Sequence, residues 1–185
     1  MNRNFKYEAA PKPEPVYFEQ IFAEKPGGGL LVGQNFNVQK STAVAEDGSG
    51  KFVPVKAYRL VSEVKDSDTA IKIAKGSGVQ KGDIIATGKK GVACTKVDTE
   101  TSPDYDVVTV TLGVAIKAGV VLYQAKEASA NAAVPFKTPK YVLGTAYEAG
   151  TGDQEVRLIN GANIRKETAN IAVEVVDLMK GIDLV

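Results

Sequence analysis

The chain has 185 residues, with 23 Lys and Arg against 22 Asp and Glu, one cysteine, no tryptophan and no histidine. Without an imidazole there is no Ser-His-Asp triad, no Cys-His pair and no histidine proton shuttle; one cysteine makes no internal disulfide, and the Cys/His sets that hold zinc are missing. A net charge of +1 leaves no electrostatic footprint for nucleic acid or an anionic membrane, so neither is an expected partner.

Residues 1–22 read as an extended arm. Pro11, Pro13 and Pro15 alternate with Lys12 and Glu14, a pattern that forbids a helix and favours polyproline geometry. Val16, Tyr17, Phe18, Ile21 and Phe22 follow as an apolar cluster, which suits either a tail leading into the first strand or a tether that orders on a partner surface. Tyr7-Glu8-Ala9-Ala10-Pro11 follows the basic N-terminus in place of an apolar run, so no secretory signal is expected and synthesis is assigned to the cytoplasm. Lys25 to Gly29 is a turn and Leu30 to Val32 a short strand. Thr42 to Ala45 and Lys51 to Ala57 form a hairpin across Asp47-Gly48, with Pro54 marking an edge or a bulge.

An internal repeat comes next. Thr69 to Ile85 is matched without a gap 37 residues later by Asp106 to Leu122. Ile71 falls on Val108, Ile73 on Val110, Val79 on Ile116, Ile84 on Val121, Gly76 on Gly113 and Gly82 on Gly119. Each copy spells an alternating strand, a turn, one apolar plug, a glycine reversal and a second strand. Between them Gly91 to Asp98 alternates as one more strand, and Thr99 to Asp106 is a polar turn. About five strands in a small barrel or sandwich are expected here. Ala125 to Ala133 suits a short helix or a linker. Tyr141 to Tyr147 and Glu155 to Ile159 are strands, Asn160-Gly161 is a turn, Lys166 to Lys180 is a helix capped by Gly181, and Ile182 to Val185 is a last strand. The fold class is therefore mainly β, all-β to α+β: a small β-barrel or sandwich of residues 23–66 plus 137–185, an inserted β-module at 67–136 and a C-terminal helix.

Catalytic motifs are near misses. The glycines from Gly76 to Gly82 miss the dinucleotide spacing by one residue and lack the helix that motif needs. Gly82 to Lys90 misses the P-loop spacing and puts a lysine where Ser or Thr would bind magnesium. Asp98, Glu100, Asp104 and Asp106 share a loop without calcium-loop spacing. Cys94 reads as a buried apolar residue, and Lys81-Gly82-Asp83 as the glycine turn of the repeat. No catalytic residue, cofactor or metal is expected.

With these residues in view, the run Thr69 to Ile73, Gly78 to Ile85, Val92 to Val97, Val107 to Val110 and Ile116 to Leu122 resembles a β-module of capsid and tail proteins of tailed phages. The flanks separately resemble lambda-type head decoration proteins, through Leu31-Val-Gly-Gln34, the hairpin Thr42 to Val55 with Gly50-Lys-Phe-Val-Pro54, Tyr141 to Ala146, Glu155 to Asn163 and Gly181 to Val185. Phage head fibre proteins are a close variant. The resemblance implies a non-enzymatic homotrimer in the virion, seated on the major capsid protein and holding neighbouring capsomers against internal DNA pressure. The arm (Pro11, Pro13, Pro15, Val16, Tyr17 and Phe18) would hook the shell. The inserted repeat departs from the simple decoration pattern. A carbohydrate-binding or adhesin module of a tail or cell surface is the alternative, and a small Asp/Glu hydrolase a third reading.

Overall fold

A computed structural model describes residues 14–185, which are mainly β with one short helix near the C-terminus. The first sheet joins strands from the two ends of the chain: β1 (Phe18–Glu24), β2 (Gly29–Leu31), β3 (Ala43–Glu46) and β4 (Phe52–Pro54), then β12 (Tyr141–Leu143), β13 (Gln154–Val156), β14 (Leu158–Ile164) and β15 (Ile182–Leu184). The intervening strands, β5 (Ala57–Arg59) to β11 (Val121–Ala125), form two smaller sheets of their own. Sheet membership thus changes at Ala57, ahead of the repeat.

The first sheet curls because its pairings run in a ring. β14 pairs with β12, β12 with β3, β3 with β4, β4 with β2, and β2 with β13, which runs on into β14 after Arg157. Leu31, Val44, Phe52, Leu143, Tyr147 and Leu158 fill the inside of the curl. The hairpin β3–β4 forms as its sequence requires: the Asp47 carboxylate accepts the backbone N–H of Ser49 at 2.8 Å and of Lys51 at 3.2 Å. Pro54 is tolerated because β4 meets β2 at one residue pair, Leu31 and Phe52, leaving no partner that needs an N–H from Pro54.

The repeat becomes an approximate twofold. Strand β6 (Ala70–Ala74) pairs antiparallel with β10 (Tyr105–Thr109), and Ile71 lies opposite Val108, its own repeat counterpart. Strand β7 (Ile84–Thr87) pairs antiparallel with β11, and Ala86 lies opposite its counterpart Tyr123. The axis relating the copies therefore passes through both ladders. The plugs Val79 and Ile116 are 9% and 8% exposed, in a core with Ile73, Ile85, Val108 and Leu122; burying each plug contributes about 1.5–3 kcal/mol. Gly82 and Gly119 have φ of 94° and 83°, a backbone that L side chains rarely adopt, and so reverse the chain after each plug. The twofold extends beyond the detected repeat. Gly82 N–H donates to the Cys94 carbonyl at 2.9 Å, as Gly119 N–H does to Leu60 at 2.8 Å, so Leu60 and Cys94 are also counterparts.

Three expectations are corrected. Gly91 to Asp98 is two strands, β8 (Lys90–Ala93) and β9 (Lys96–Asp98), in different sheets. The chain turns the corner at Cys94 and Thr95, whose N–H groups donate to Asp83 and Thr109. Asn160-Gly161 is not a turn but the middle of β14; glycine is needed there because a Cβ would press on Ala23 and the Phe22 ring of β1. Of the two forms open to Ala125 to Ala133 the chain takes the linker: Ala125 ends β11, and the rest is irregular and tied to β8 through Ser129 and Gly91. The helix expected over Lys166 to Lys180 shrinks to α1 (Val173–Val176). Its would-be first half is drawn out of helical geometry at Asn170, whose N–H donates to Ser41 Oγ and whose Nδ2 donates to Thr42 Oγ1, both at 2.8 Å. Ile171, Val173, Val175 and Val176 are β-branched, and Ala172 supplies no side-chain cap.

Val175, Val176 and Met179 instead pack, with Ala43, Val142 and Ile159 of the first sheet, against Ala86, Tyr123 and Ala125 of the module. This shared core and two polar links join the parts. Gly88 N–H in the module donates to the Glu174 carboxylate of α1. Arg59 reaches from the module to the Ala169 carbonyl and also donates to Gly119 at 2.8 Å.

Candidate functional site

The arm residues divide. Pro11 and Pro13 lie outside the described residues, whereas Pro15, Val16, Tyr17 and Phe18 run together along Arg165 to Thr168. The Val16 carbonyl accepts Thr168 Oγ1 at 2.7 Å and the Tyr17 carbonyl accepts Arg165 N–H at 2.8 Å. Phe18 is half-buried against the shared core opposite Ile164, so it anchors the segment rather than offering a contact. Val16, two residues ahead of β1, is 51% exposed, and Phe22 within β1 is 56% exposed. Glu14 pairs with Lys40 at 2.8 Å, and that hydrogen bond holds its carboxyl below the ordinary carboxylate value. The ladder of β1 with β14 is broken by register shifts, and the edge strand carries the charged pairs Glu19–Arg165 and Glu24–Arg157, devices that discourage indiscriminate strand addition.

Beside the anchored arm lies an open groove of about 610 Å³ between the module and α1. Its wall is apolar, with Val120, Val173 and Leu184, and its rim carries charge of both signs, Arg59, Lys117 and Lys166 with Glu167 and Glu174. Sequence reasoning missed it because its two walls, Lys117 to Val121 and Lys166 to Glu174, are far apart in sequence and meet only in the folded chain.

The residues weighed for chemistry are committed to the fold. Asp83, 11% exposed at its side chain, accepts Lys56 Nζ at 2.9 Å, Tyr58 Oη at 3.0 Å, Gln124 Nε2 at 3.1 Å and the Gln80 N–H at 2.9 Å. Burial, reinforced by the Asp83 charge, pushes the Tyr58 phenol far up. Asp106 is buried; its Oδ1 lies 3.0 Å from Lys75 Nζ, within ion-pair reach but outside hydrogen-bonding geometry, and its Oδ2 accepts the Gly76 N–H at 3.2 Å. The N–H groups of Gly76, Gln80 and Gly82, which a phosphate would need, thus already have partners within the chain. Asp98 closes its own turn by accepting the Glu100 and Thr101 N–H groups, both at 3.0 Å. Cys94 is 2% exposed, and burial pushes its thiol up. Among the described residues no group of His, Cys, Asp and Glu is placed to hold a metal ion, and no helix is long and apolar enough to cross a membrane.

Compared with known proteins, the chain matches no family model, no curated protein and no solved structure.

Proposed function

We propose that the chain is a non-enzymatic structural protein of a tailed-phage virion. It decorates and stabilises the capsid surface as a homotrimer, as a head decoration or head fibre protein, with the major capsid protein as its partner. The observation that carries this reading is the arrangement of strands. Residues 18–54 and 141–184 build one curled sheet, and the repeat module stands between them as a separate pair of sheets. That arrangement accords with the two resemblances, one borne by the flanks and one by the repeat. The arm supports it as well: Val16 is held exposed just ahead of β1 on a backbone tied to Thr168, which suits a contact made repeatedly on a symmetric shell.

The test is co-sedimentation of the purified protein with undecorated capsids assembled from the major capsid protein encoded nearest to it. Saturable pelleting at micromolar protein is the expected result. Protein that stays in the supernatant refutes the reading, and saturable binding on a glycan array would move it to the adhesin alternative.

A further inference from the structure

Asn160-Gly161 lies at a junction of strands. On one edge of β14 the ladder with β12 ends at Ile159 and the ladder with β15 begins at Ala162, so neither pairs with Asn160 or Gly161. On the other edge Ala23 of β1 lies opposite Gly161, and the next pair joins Glu24 to Ile159, so Asn160 is passed over as a bulge. Among the described residues β1 is thus the strand that pairs across Gly161, and its own ladder is with β14 alone.

An asparagine followed by glycine carries a reaction within its own backbone. The Gly161 nitrogen, its proton lost to a solvent base, attacks the side-chain carbonyl carbon of Asn160. A C–N bond forms, ammonia leaves, and a five-membered succinimide remains. Water then opens the ring at either carbonyl, giving aspartate or an isoaspartyl link through the side chain. Glycine eases the attack because it has no Cβ and lets the backbone turn freely. The reacting atoms must still come within about 3–3.5 Å in the right alignment.

The fold withholds that alignment. Extended backbone directs the exposed Asn160 side chain off the strand, so ring closure requires rotation of the peptide that joins it to Gly161. Both sides of that peptide are occupied. A Cβ on Gly161 would lie 2.8 Å from the Ala23 Cβ and from the Phe22 ring. A Cβ on Gly181 would lie 2.9 Å from the Asn160 carbonyl oxygen, and the Gly181 carbonyl accepts the Ala162 N–H at 2.9 Å. Lifting β1 frees the first side without breaking another ladder, and such local openings cost less than global unfolding.

We propose that Asn160-Gly161 is a self-modification site gated by β1. It is closed while β1 is paired and passes through the succinimide when β1 detaches. Either product carries a new negative charge at the exposed position, and the isoaspartyl form also adds one atom to the backbone of β14. The added atom disturbs the register with both β1 and β15, so a chain that has long lost its β1 contact does not regain it.

The experiment follows Asn160 of the full chain by intact mass and peptide mapping in mildly alkaline buffer. Wild type is compared in native buffer and in denaturant, and Asn160→Gln, Phe18→Ala and Val79→Ala in native buffer, with circular dichroism to check folding. Denatured wild type should gain the mass of an amide-to-acid conversion, with isoaspartate at Asn160, at least about a hundredfold faster than the native chain. Asn160→Gln, which would have to close a larger ring, should not convert in denaturant. Phe18→Ala removes the half-buried anchor of β1 and should speed native conversion about tenfold or more. Val79→Ala weakens the module core instead and should leave the native rate unchanged. Should Phe18→Ala not fold, E19K/E24K loosens β1 from Arg165 and Arg157 at the surface and should act in the same direction. Equal rates in native buffer and denaturant overturn the gate, and no conversion at Asn160 in denaturant overturns the site. Equal acceleration by the β1 variant and by Val79→Ala assigns the gate to unfolding of the whole chain and overturns the role of β1.

Discussion

Removing one carboxylate, that of Asp83, should destabilise the module more than any other polar substitution in it. Four donors converge on this side chain: Lys56 Nζ, Tyr58 Oη, Gln124 Nε2 and the Gln80 N–H, all within 3.1 Å. In Asp83→Ala the Lys56 ammonium, 14% exposed at its side chain, keeps its charge without its partner, and the fully buried Tyr58 loses the acceptor for its hydroxyl. Breaking a buried pair from one side costs about 3–5 kcal/mol. An orphaned buried hydroxyl adds about 1–3 kcal/mol, but Lys56 can swing partly into water, so the sum should stay near 4 kcal/mol. Asp83→Leu combined with Lys56→Met removes both charges and should recover about 2 kcal/mol of the loss. Urea denaturation followed by tyrosine fluorescence is a suitable assay, since the chain has seven tyrosines and no tryptophan. The reasoning is refuted if Asp83→Ala lies within about 1 kcal/mol of wild type, or if the double variant is no more stable than Asp83→Ala.

Three further outcomes follow from the same structure. Cys94, buried and with its thiol pushed up by that burial, should resist a disulfide reagent in native buffer and react fully in denaturant; rapid native labelling would contradict its placement. Gly78 has φ of 70° and a Cβ there would press into the Phe36 ring, so Gly78→Ala should cost about 2–4 kcal/mol and Gly48→Ala, where a Cβ meets nothing, clearly less; equal midpoints in urea would count against the contact. Asp47 and Asp98 are held below their ordinary value of 3.8, Asp47 first by the Ser49 N–H and Asp98 first by the Thr101 hydroxyl. A carboxyl depressed by folding stabilises fully above its unfolded value and loses that contribution as pH falls through the folded one. The melting temperature should therefore fall below pH about 4, less steeply in Asp47→Asn and Asp98→Asn, which calorimetry across pH 2–6 would check.

The parts of the fold written as local pattern were legible in the sequence. Alternating apolar residues, paired glycines and the 37-residue repeat specify strand, plug and reversal, and Asp47-Gly48 specifies a hairpin. What the repeat could not reveal is that counterpart strands pair with each other, because pairing lives in three dimensions and not in spacing. The Leu60–Cys94 correspondence was hidden by a different separation along the chain. Asn160-Gly161 misled because glycine serves close approach there, and Lys166 to Lys180 misled because helical periodicity competed with side-chain bonds from Asn170 to Ser41 and Thr42. One signal of the Asp83 cluster was readable: an aspartate in one copy where the other has Val120. The groove had none, since its two walls are more than forty residues apart in sequence and meet only through the shared core.

The ring of pairings in the first sheet also sets an order of events as the chain is made. β1, β2 and β3 leave the ribosome before the module, yet their partners β14, β13 and β12 follow only after it. The module between them carries both members of each of its ladders and can close while the N-terminal strands still wait. Pairings so distant in sequence form slowly. During that interval the apolar side of β1 to β4 is uncovered, and the half-built sheet is where misassembly between nascent copies would begin.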